Sequence, residues 1–128
     1  MILIDTDILV ESLRGSIEAT TWLASIRSET FGIPGVVAME LLMGCRNQND
    51  LQRVRKFLSS FQVIWPDATD SACAYDLLLE HRLSSGLGIP DCLIAATALV
   101  RGARLFSFNI KHFGVIPGLE VQQPYKRP

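Results

Sequence analysis

Three acidic residues stand in parts of the sequence that are otherwise apolar. Asp5 ends the first hydrophobic run, MILID, Glu40 interrupts VVAMELLM, and Asp91 stands near the start of IPDCLIAATALV. A lone ionised carboxylate in a core helix costs several kcal/mol unless it is paired, protonated or bound to a metal. These three residues are therefore candidates for a functional site.

A hard divalent cation is the partner that suits such carboxylates best. If they converge, their charges repel one another and raise the pKa of at least one of them. Mg2+ prefers oxygen ligands and usually takes one or two direct carboxylates, so Asp5, Glu40 and Asp91 are predicted metal ligands. The two histidines, His81 and His112, form no metal-ligand pair in the sequence. A metal that keeps water ligands would favour phosphoryl chemistry.

Each acid also has a local explanation, which the sequence leaves open. Asp5 could stand in a surface turn, and the pattern favours Asp7 as the N-cap of a helix that starts near Ile8. Glu40 could face solvent or pair with an arginine. Asp91 follows a proline at the start of its helix, where an acid favours the helix dipole.

A further group of polar residues accompanies the predicted strand in RLFSFNIKHF. Ser107, Asn109, Lys111 and His112 come at or after the end of this strand. If the strand is parallel to the first one, these side chains reach the same edge of the sheet as Asp5. Taken alone, the stretch is equally compatible with an ordinary loop.

Short strands alternate with helices along the chain, which predicts a parallel sheet covered on both faces. The strands are predicted from Ile-, Val- or Phe-rich runs at 2–4, 30–33, 61–65, 104–108 and 119–122. Helical spacing or all-round apolarity predicts helices at Leu9–Leu13, Ile17–Ile26, Val36–Gly44, Leu51–Leu58, Thr69–Leu83 and Cys92–Val100. Ligands of such open sheets bind beyond the carboxyl ends of the strands, where Asp5 is expected.

Composition limits the class of protein. The 128 residues contain no repeat or linker and are expected to form one domain, 1–128. The net charge of -1 argues against a protein that holds nucleic acid by bulk positive charge, and the hydrophobic share of 48% suggests that a second subunit or a partner covers apolar surface. Three widely spaced cysteines without a CxxC pair, and no membrane-length apolar run, predict a cytoplasmic protein without membrane contact.

The order and spacing of the motifs resemble the PIN-domain nucleases. Asp5 after a strand, Glu40 in an apolar helix, Asp91 in IPDCLIAATAL and the strand and loop SFNIKHF occur in the family's order, and the spacer LVESLRG follows the first aspartate. More narrowly, the chain is similar to the VapC toxins of bacterial and archaeal toxin–antitoxin pairs. The resemblance runs from Ile2 to about Val121, nearly the whole sequence.

This resemblance implies a PIN-like three-layer α/β/α fold with a central, mostly parallel sheet of four to five strands. It also implies an Mg2+-dependent endoribonuclease, with Mn2+ as an alternative ion. Such an enzyme hydrolyses RNA with a metal-activated water and leaves a 5′-phosphate and a 3′-hydroxyl. Members are usually dimeric and held inactive by a cognate antitoxin, so a homodimer and a toxin–antitoxin hetero-oligomer are expected.

At the level of residues, the resemblance implies that Asp5, Glu40 and Asp91 are the acidic metal ligands and catalytic groups. Asn109, carried over as the fourth catalytic position, stands where many members have Asp. Its carbonyl could coordinate a metal or orient a water, but the lower charge argues against a tightly held second metal.

Supporting roles follow from the same resemblance. Ser107 matches a Thr or Ser that could bind a metal water or a phosphate, and Asp7 falls where Asp, Asn or Ser is frequent and could support the metal ligands. His112 stands where an acid is frequent. Arg14 and Lys111 could steer the RNA backbone, although each is equally compatible with a solvated surface charge.

Three other functions remain as alternatives. DTD after an apolar strand also occurs in haloacid dehalogenase-type phosphatases, but the downstream lysine and second acidic pair of that class are not found. A receiver-like signalling domain would place its phosphoacceptor after the third strand, at Asp67 of WPD, and would leave Glu40 and Asp91 unexplained. A catalytically weak PIN-like domain that binds RNA or protein is favoured by Asn109.

Overall fold

The computed structural model describes all residues from Met1 to Pro128. Five strands and seven helices follow one another along the chain. The strands are β1 (Ile2–Ile4), β2 (Phe31–Pro34), β3 (Val63–Ile64), β4 (Arg104–Phe106) and β5 (Val121–Gln122). The helices are α1 (Thr6–Leu13), α2 (Ile17–Ser25), α3 (Gly35–Met43), α4 (Gln48–Leu58), α5 (Ala68–Ser85), α6 (Ile89–Arg101) and α7 (Ile110–Phe113).

The strands form one sheet in the order β3-β2-β1-β4-β5, and every neighbouring pair is parallel. This sheet, flanked by helices, confirms the predicted α/β class. The chain first builds outward from one side of β1 and then crosses to the other side, so the topology switches between β1 and β4. Ile4 pairs with Phe106 at this point, which brings the residues after both strands to one edge.

The strand order also excludes the receiver-like alternative. Receiver domains have the order 2-1-3-4-5, in which the third strand lies next to the first. Here β3 is an edge strand, and the proposed phosphoacceptor Asp67 is the N-cap of α5, where its side chain accepts a hydrogen bond from the Asp70 amide at 2.8 Å. Asp67 is therefore used in helix capping.

The hydrophobic core includes all of β1 and much of α6. All three residues of β1 are buried, as expected for the central strand of a covered sheet. In α6, buried side chains occur on nearly every face, which confirms that this apolar helix is central: Cys92, Ile94, Ala95, Ala96, Thr97 and Ala98. None of the helices combines the length and the hydropathy that a membrane span requires.

The start of α1 differs from the prediction in a way that affects the site. The helix begins at Thr6, and Asp5 is its N-cap: the Asp5 backbone is extended, and Oδ1 accepts a hydrogen bond from the Thr6 amide at 2.7 Å. The prediction that Asp7 caps this helix was wrong. The reason is that β1 passes into α1 without a linker, so the residue that ends the strand is also the one that caps the helix.

Several other boundaries differ from the prediction by a few residues, among them the starts of α4, α6 and β5. The third strand has only two residues, and β4 ends at Phe106, so Ser107 lies beyond the strand. The sequence also gave no indication of α7, because a helix of four residues is too short to produce a periodic pattern.

A buried ion pair joins the start of α5 to the end of α6. Arg101 Nη1 donates to Asp70 Oδ1 at 2.7 Å, and the Asp70 side chain is fully buried. Asp70 Oδ2 also accepts a hydrogen bond from the Asp67 amide at 3.1 Å, which completes a capping box. Burial alone would raise the pKa of Asp70, but the hydrogen bond and charge of Arg101, with the contacts to Asp67, hold that pKa below its usual value.

We expect Asp70→Asn to lower the free energy of unfolding at pH 7 by about 3 kcal/mol, because it leaves the partly exposed Arg101 without its charged partner. A carboxylate with a lowered folded-state pKa stabilises the fold at neutral pH, and this contribution is lost as the pH falls through that pKa. The stability difference between the variant and the unaltered chain should therefore start to shrink below about pH 4 and disappear below the lowered folded-state pKa of Asp70. Urea denaturation between pH 2.5 and 7 measures the difference, with Asp76→Asn on the exposed side of α5 as the control. A constant difference across this range would contradict the assignment.

Candidate active site

Asp5 and Ser107 meet at the switch between β1 and β4. The Asp5 amide donates to the Phe106 carbonyl at 3.0 Å, which continues the strand pairing by one residue. This places Ser107 beside Asp5, and the Ser107 hydroxyl donates to Asp5 Oδ2 at 2.7 Å. Asp5 is only 8% exposed and Ser107 is fully buried. The sheet therefore fixes both the position and the orientation of this carboxylate.

Asp7 holds the loop after β4 against α1. Its Oδ2 accepts a hydrogen bond from the Phe108 amide at 3.0 Å and lies 3.4 Å from the Ser107 hydroxyl. Ser107 Oγ in turn accepts from the Asn109 amide at 2.9 Å. The two opening aspartates thus contact the same loop, and Asp7 has a supporting position next to Asp5.

Glu40 is connected to the same group through Thr6. The Thr6 hydroxyl donates to Glu40 Oε1 at 2.7 Å across the contact between α1 and α3. Glu40 is half-buried rather than enclosed in the core, and it forms no ion pair with an arginine. It lines an open cleft between α1, α3 and α4, and Arg14 lines the same cleft. The carboxylate is therefore accessible from outside.

Asp5 has a raised pKa and no cationic partner. Burial, and then the neighbouring charge of Asp7 and the more weakly acting charge of Glu40, raise the pKa of Asp5 to about 6, although hydrogen bonds from Ser107 and Thr6 oppose the shift. No cationic side chain forms an ion pair with it. The ionised form of Asp5 therefore lacks a positive partner within the protein.

Asp91 occupies a separate position at the start of α6. Its Oδ2 accepts a hydrogen bond from the Gly88 amide at 3.3 Å, so the local role in helix capping is confirmed. The same oxygen lies 3.0 Å from His112 Nε2. No hydrogen bond or ion pair joins Asp91 to Asp5 or Glu40. The histidine is the direct contact of this acid.

The remaining predicted residues, Asn109, Lys111 and His112, lie in the segment that follows Ser107. Asn109 is exposed, its side chain forms no hydrogen bond, and it shares a shallow depression with Lys111 and His112. No three His, Cys, Asp or Glu side chains stand close enough together to form a ready-made metal cluster. The structure thus links Asp5, Asp7, Glu40 and Ser107, with Asp91 and Asn109 in a neighbouring group around His112.

Two contacts of this site were missed from the sequence. Thr6 was considered only as a cap, whereas it binds Glu40, and the partner of Asp91 was not identified as His112. The only signal for Thr6 was its place between two acids at the end of a strand. For His112, the signal was its position in the same polar segment as Asn109.

Comparisons with known proteins identify the family to which the chain belongs. The PIN domain family model matches residues 2–117. Ribonuclease VapC19 of Mycobacterium tuberculosis is 37% identical over 130 residues, which cover 98% of this chain and 100% of the relative. A toxin–antitoxin complex from Klebsiella pneumoniae superposes with a TM-score of 0.78 at 29% identity, covering 99% of this chain and 100% of that one.

A second solved structure gives the same result. VapBC2 from Rickettsia felis, bound to a DNA fragment from its promoter, superposes with a TM-score of 0.83 at 27% identity and covers 96% of this chain and 98% of that one. Similarity of sequence and of fold therefore extends over almost the entire length. The chain belongs to the PIN-domain family and, within it, to the VapC-like ribonucleases.

Proposed function

We propose that this chain is the toxin of a toxin–antitoxin pair and that it cuts RNA internally, using Mg2+ held by Asp5, Glu40 and Asp91. Membership of the PIN-domain family and the 37% identity to a VapC ribonuclease support the nuclease activity. The placement of the metal site rests mainly on Asp5, whose carboxylate is buried at the topological switch without a cationic partner.

The donor atoms are of the kind that a hard divalent cation binds. All the candidate ligand atoms are oxygens. Burial, and then the neighbouring negative charge of Asp7, raise the pKa of Asp5, and no protein cation forms an ion pair with it. PIN-domain ribonucleases generally depend on a divalent metal. Mg2+ is the ion we propose, with Mn2+ as a substitute, because both accept carboxylate and water ligands. When bound, such a cation binds a phosphate oxygen and lowers the pKa of the attacking water.

The protein's own groups orient the ligands. Ser107 fixes Asp5 Oδ2, and Thr6 fixes Glu40 Oε1, each through a hydroxyl donor at 2.7 Å. A carboxylate held in this way keeps its orientation without reorganisation during the reaction. We propose hydrolysis to a 5′-phosphate and a 3′-hydroxyl. Arg14, which shares a cleft with Glu40, and Lys111, which lies beside Asn109 and His112, are proposed contacts for the RNA backbone.

A catalytically weak domain that only binds RNA is the second candidate. It is favoured by Asn109, whose exposed amide brings no charge to a position next to His112 and Lys111. One fewer carboxylate weakens the attraction for a second metal ion. A binding domain of this kind would retain RNA without cutting it.

We further propose that the chain is a single PIN domain, that it forms a homodimer, and that a cognate antitoxin binds it. We also propose that it works in the cytoplasm. The relatives in complexes, including the toxin–antitoxin complex from Klebsiella pneumoniae, support the antitoxin and the hetero-oligomer. Free thiols at all three cysteines are compatible with a reducing compartment. Large apolar side chains remain exposed in numbers that favour burial against other chains: Met39, Met43, Trp65, Tyr75, Leu79, Leu83 and Ile89.

The direct test is cleavage of an end-labelled single-stranded RNA by the purified chain, with Mg2+ or with EDTA. We expect fragments from internal cuts with Mg2+ and intact RNA with EDTA. RNA that is bound but never cut would favour the second candidate and contradict the nuclease.

Glu40→Gln is expected to reduce this cleavage about a hundredfold or more, because it removes a charged metal ligand and keeps the oxygen that accepts from Thr6. The free energy of unfolding without metal should be unchanged or higher, since one like charge near Asp5 is removed. Kinetics and urea denaturation measure the two effects, with the exposed Glu120→Gln as the matched control. Normal cleavage by Glu40→Gln would remove Glu40 from the site, and lower stability without metal would give it a structural role.

A further inference from the structure

The segment that follows β5 binds back to the first helix. Tyr125 OH donates to Glu11 Oε1 at 2.8 Å, and Arg127 Nε donates to Glu11 Oε2 at 2.8 Å. Arg127 Nη2 lies 2.7 Å from the same Oε2. One carboxylate on α1 therefore anchors both residues, at a separation of more than a hundred positions in the sequence.

This anchoring places Arg127 against the loop that follows β4. That loop contacts Asp5 and Asp7, which together with Glu40 are called the acidic site below. Its guanidinium carbon lies 3.8 Å from the centre of the Phe108 ring, and Tyr125 packs edge-on against that ring at 5.0 Å. Phe108 is the residue whose amide binds Asp7. Burial raises the pKa of Asp7, and Arg127 is the one cationic group whose charge opposes this shift. The guanidinium is therefore a positive charge at the edge of the site.

Part of the guanidinium remains free to bind a ligand. Nε and Nη2 are directed to Glu11, whereas Nη1 has no acceptor within the protein, and the side chain is 51% exposed. A guanidinium that is fixed by one carboxylate and stacked on a ring loses little further freedom when a phosphate binds to its open edge. Arg127 thus has the geometry of an oriented anion-binding group.

We propose that Arg127 binds a phosphate of the RNA strand at the edge of the acidic site. The inference rests on the proposed function, because it concerns the substrate of that site. A polyanion that approaches Asp5, Asp7 and Glu40 meets negative charge, and the chain as a whole carries a net charge of -1. A local cation with fixed orientation compensates for this repulsion where the strand enters.

The test compares four single variants in RNA binding and in cleavage. Arg127→Ala is expected to raise KM for a single-stranded RNA about tenfold and to change kcat less, as for the loss of one charge-assisted contact. Arg127→Lys should lie between this variant and the unaltered chain, because a lysine retains the charge without the planar fork. Lys126→Ala removes the same charge one position earlier, where the side chain is exposed, and should leave KM within about twofold.

Tyr125→Phe separates binding from anchoring. It removes the hydroxyl contact to Glu11 but leaves the positive charge, so its effect on KM should be much smaller than that of Arg127→Ala. Fluorescence anisotropy with labelled RNA in an Asp91→Asn background gives the affinity without cleavage. There, Arg127→Ala should reduce the slope of log affinity against log salt by about 0.7, the contribution of one phosphate contact on a single strand.

Three results would overturn the proposal while the unaltered chain still cuts RNA. They are an unchanged KM in Arg127→Ala, an equal loss in Lys126→Ala, and an equal loss in Tyr125→Phe. The first result would show that Arg127 does not contact the RNA. The second would show that any positive charge in this segment has the same effect. The third would show that Arg127 acts only by anchoring the segment to Glu11. Absence of cleavage and of RNA binding by the unaltered chain would instead overturn the proposed function, and this inference with it.

Discussion

Replacing Asp5 by Asn is expected to reduce Mg2+-dependent RNA cleavage about a thousandfold or more. This corresponds to several kcal/mol of transition-state stabilisation, which is the contribution of a metal that is held at the reacting phosphate. The substitution keeps the shape of the side chain, and Asn is also a good N-cap, so α1 should still begin at Thr6. The loss would therefore come from the missing charge.

The fold of Asp5→Asn without metal should be more stable than that of the unaltered chain. Burial and the charges of Asp7 and Glu40 raise the pKa of Asp5 to about 6, so its ionised form at pH 7.5 costs free energy in the folded state. An amide avoids that cost, and we expect a gain of about 1 to 2 kcal/mol in the free energy of unfolding. Urea denaturation in EDTA measures it.

Addition of Mg2+ provides the second measurement on Asp5→Asn. The unaltered chain should gain thermal stability when the ion is added, because a ligand that binds only the folded state shifts the equilibrium toward it. Asp5→Asn should gain little, whereas Asp76→Asn, which removes an exposed charge on α5, should gain as much as the unaltered chain. Equal gains in all three proteins, or cleavage at the normal rate by Asp5→Asn, would contradict a metal site at Asp5.

Asp91→Asn is expected to reduce cleavage about as much as Asp5→Asn, because it removes a proposed charged ligand of the metal. The hydrogen bonds of Asp91 within the protein would not by themselves predict such a loss. Asp91 binds the Gly88 amide and His112, and an asparagine oxygen can replace the first of these contacts. The half-exposed carboxylate contributes little to the fold, so stability without metal should change by less than about 1 kcal/mol. A large loss of activity with a small change in stability would identify the charge as part of the site.

His112→Phe distinguishes a metal ligand from a member of an ion pair. It removes the contact to Asp91 Oδ2 and keeps a ring of similar size. If Asp91 binds the ion, this variant should lose at most about tenfold in cleavage rate, because only an orienting hydrogen bond is removed. Cleavage rates of the two variants decide the matter: a loss in His112→Phe as severe as that in Asp91→Asn would assign the effect to the pair itself.

The α/β class and the position of the candidate site could be predicted because they depend on local patterns. Apolar runs such as ILI at 2–4, alternating with helical spacing, report which segments are buried. Parallel strands then place whatever follows them at one edge of the sheet, and Asp5 and Ser107 follow β1 and β4. The rare charge in an apolar segment was visible at Glu40 and at Asp91 without any structure.

Only the tertiary structure decided how the individual acids are used. Asp5 and Asp7 both follow the first strand, yet Asp5 caps the helix and contacts Ser107, whereas Asp7 binds the Phe108 amide. Local propensity favours an acid near the start of a helix but does not distinguish positions two residues apart, because either can satisfy the free amides of the first turn.

The same limit applies to contacts between distant segments. By itself, the sequence determined that the chain is a parallel α/β protein with acids at the carboxyl edge of its sheet. Packing determined that His112 contacts Asp91 and that Glu11 anchors Arg127 beside Phe108. These contacts depend on where segments that are far apart in the sequence meet, whereas periodicity describes one segment at a time.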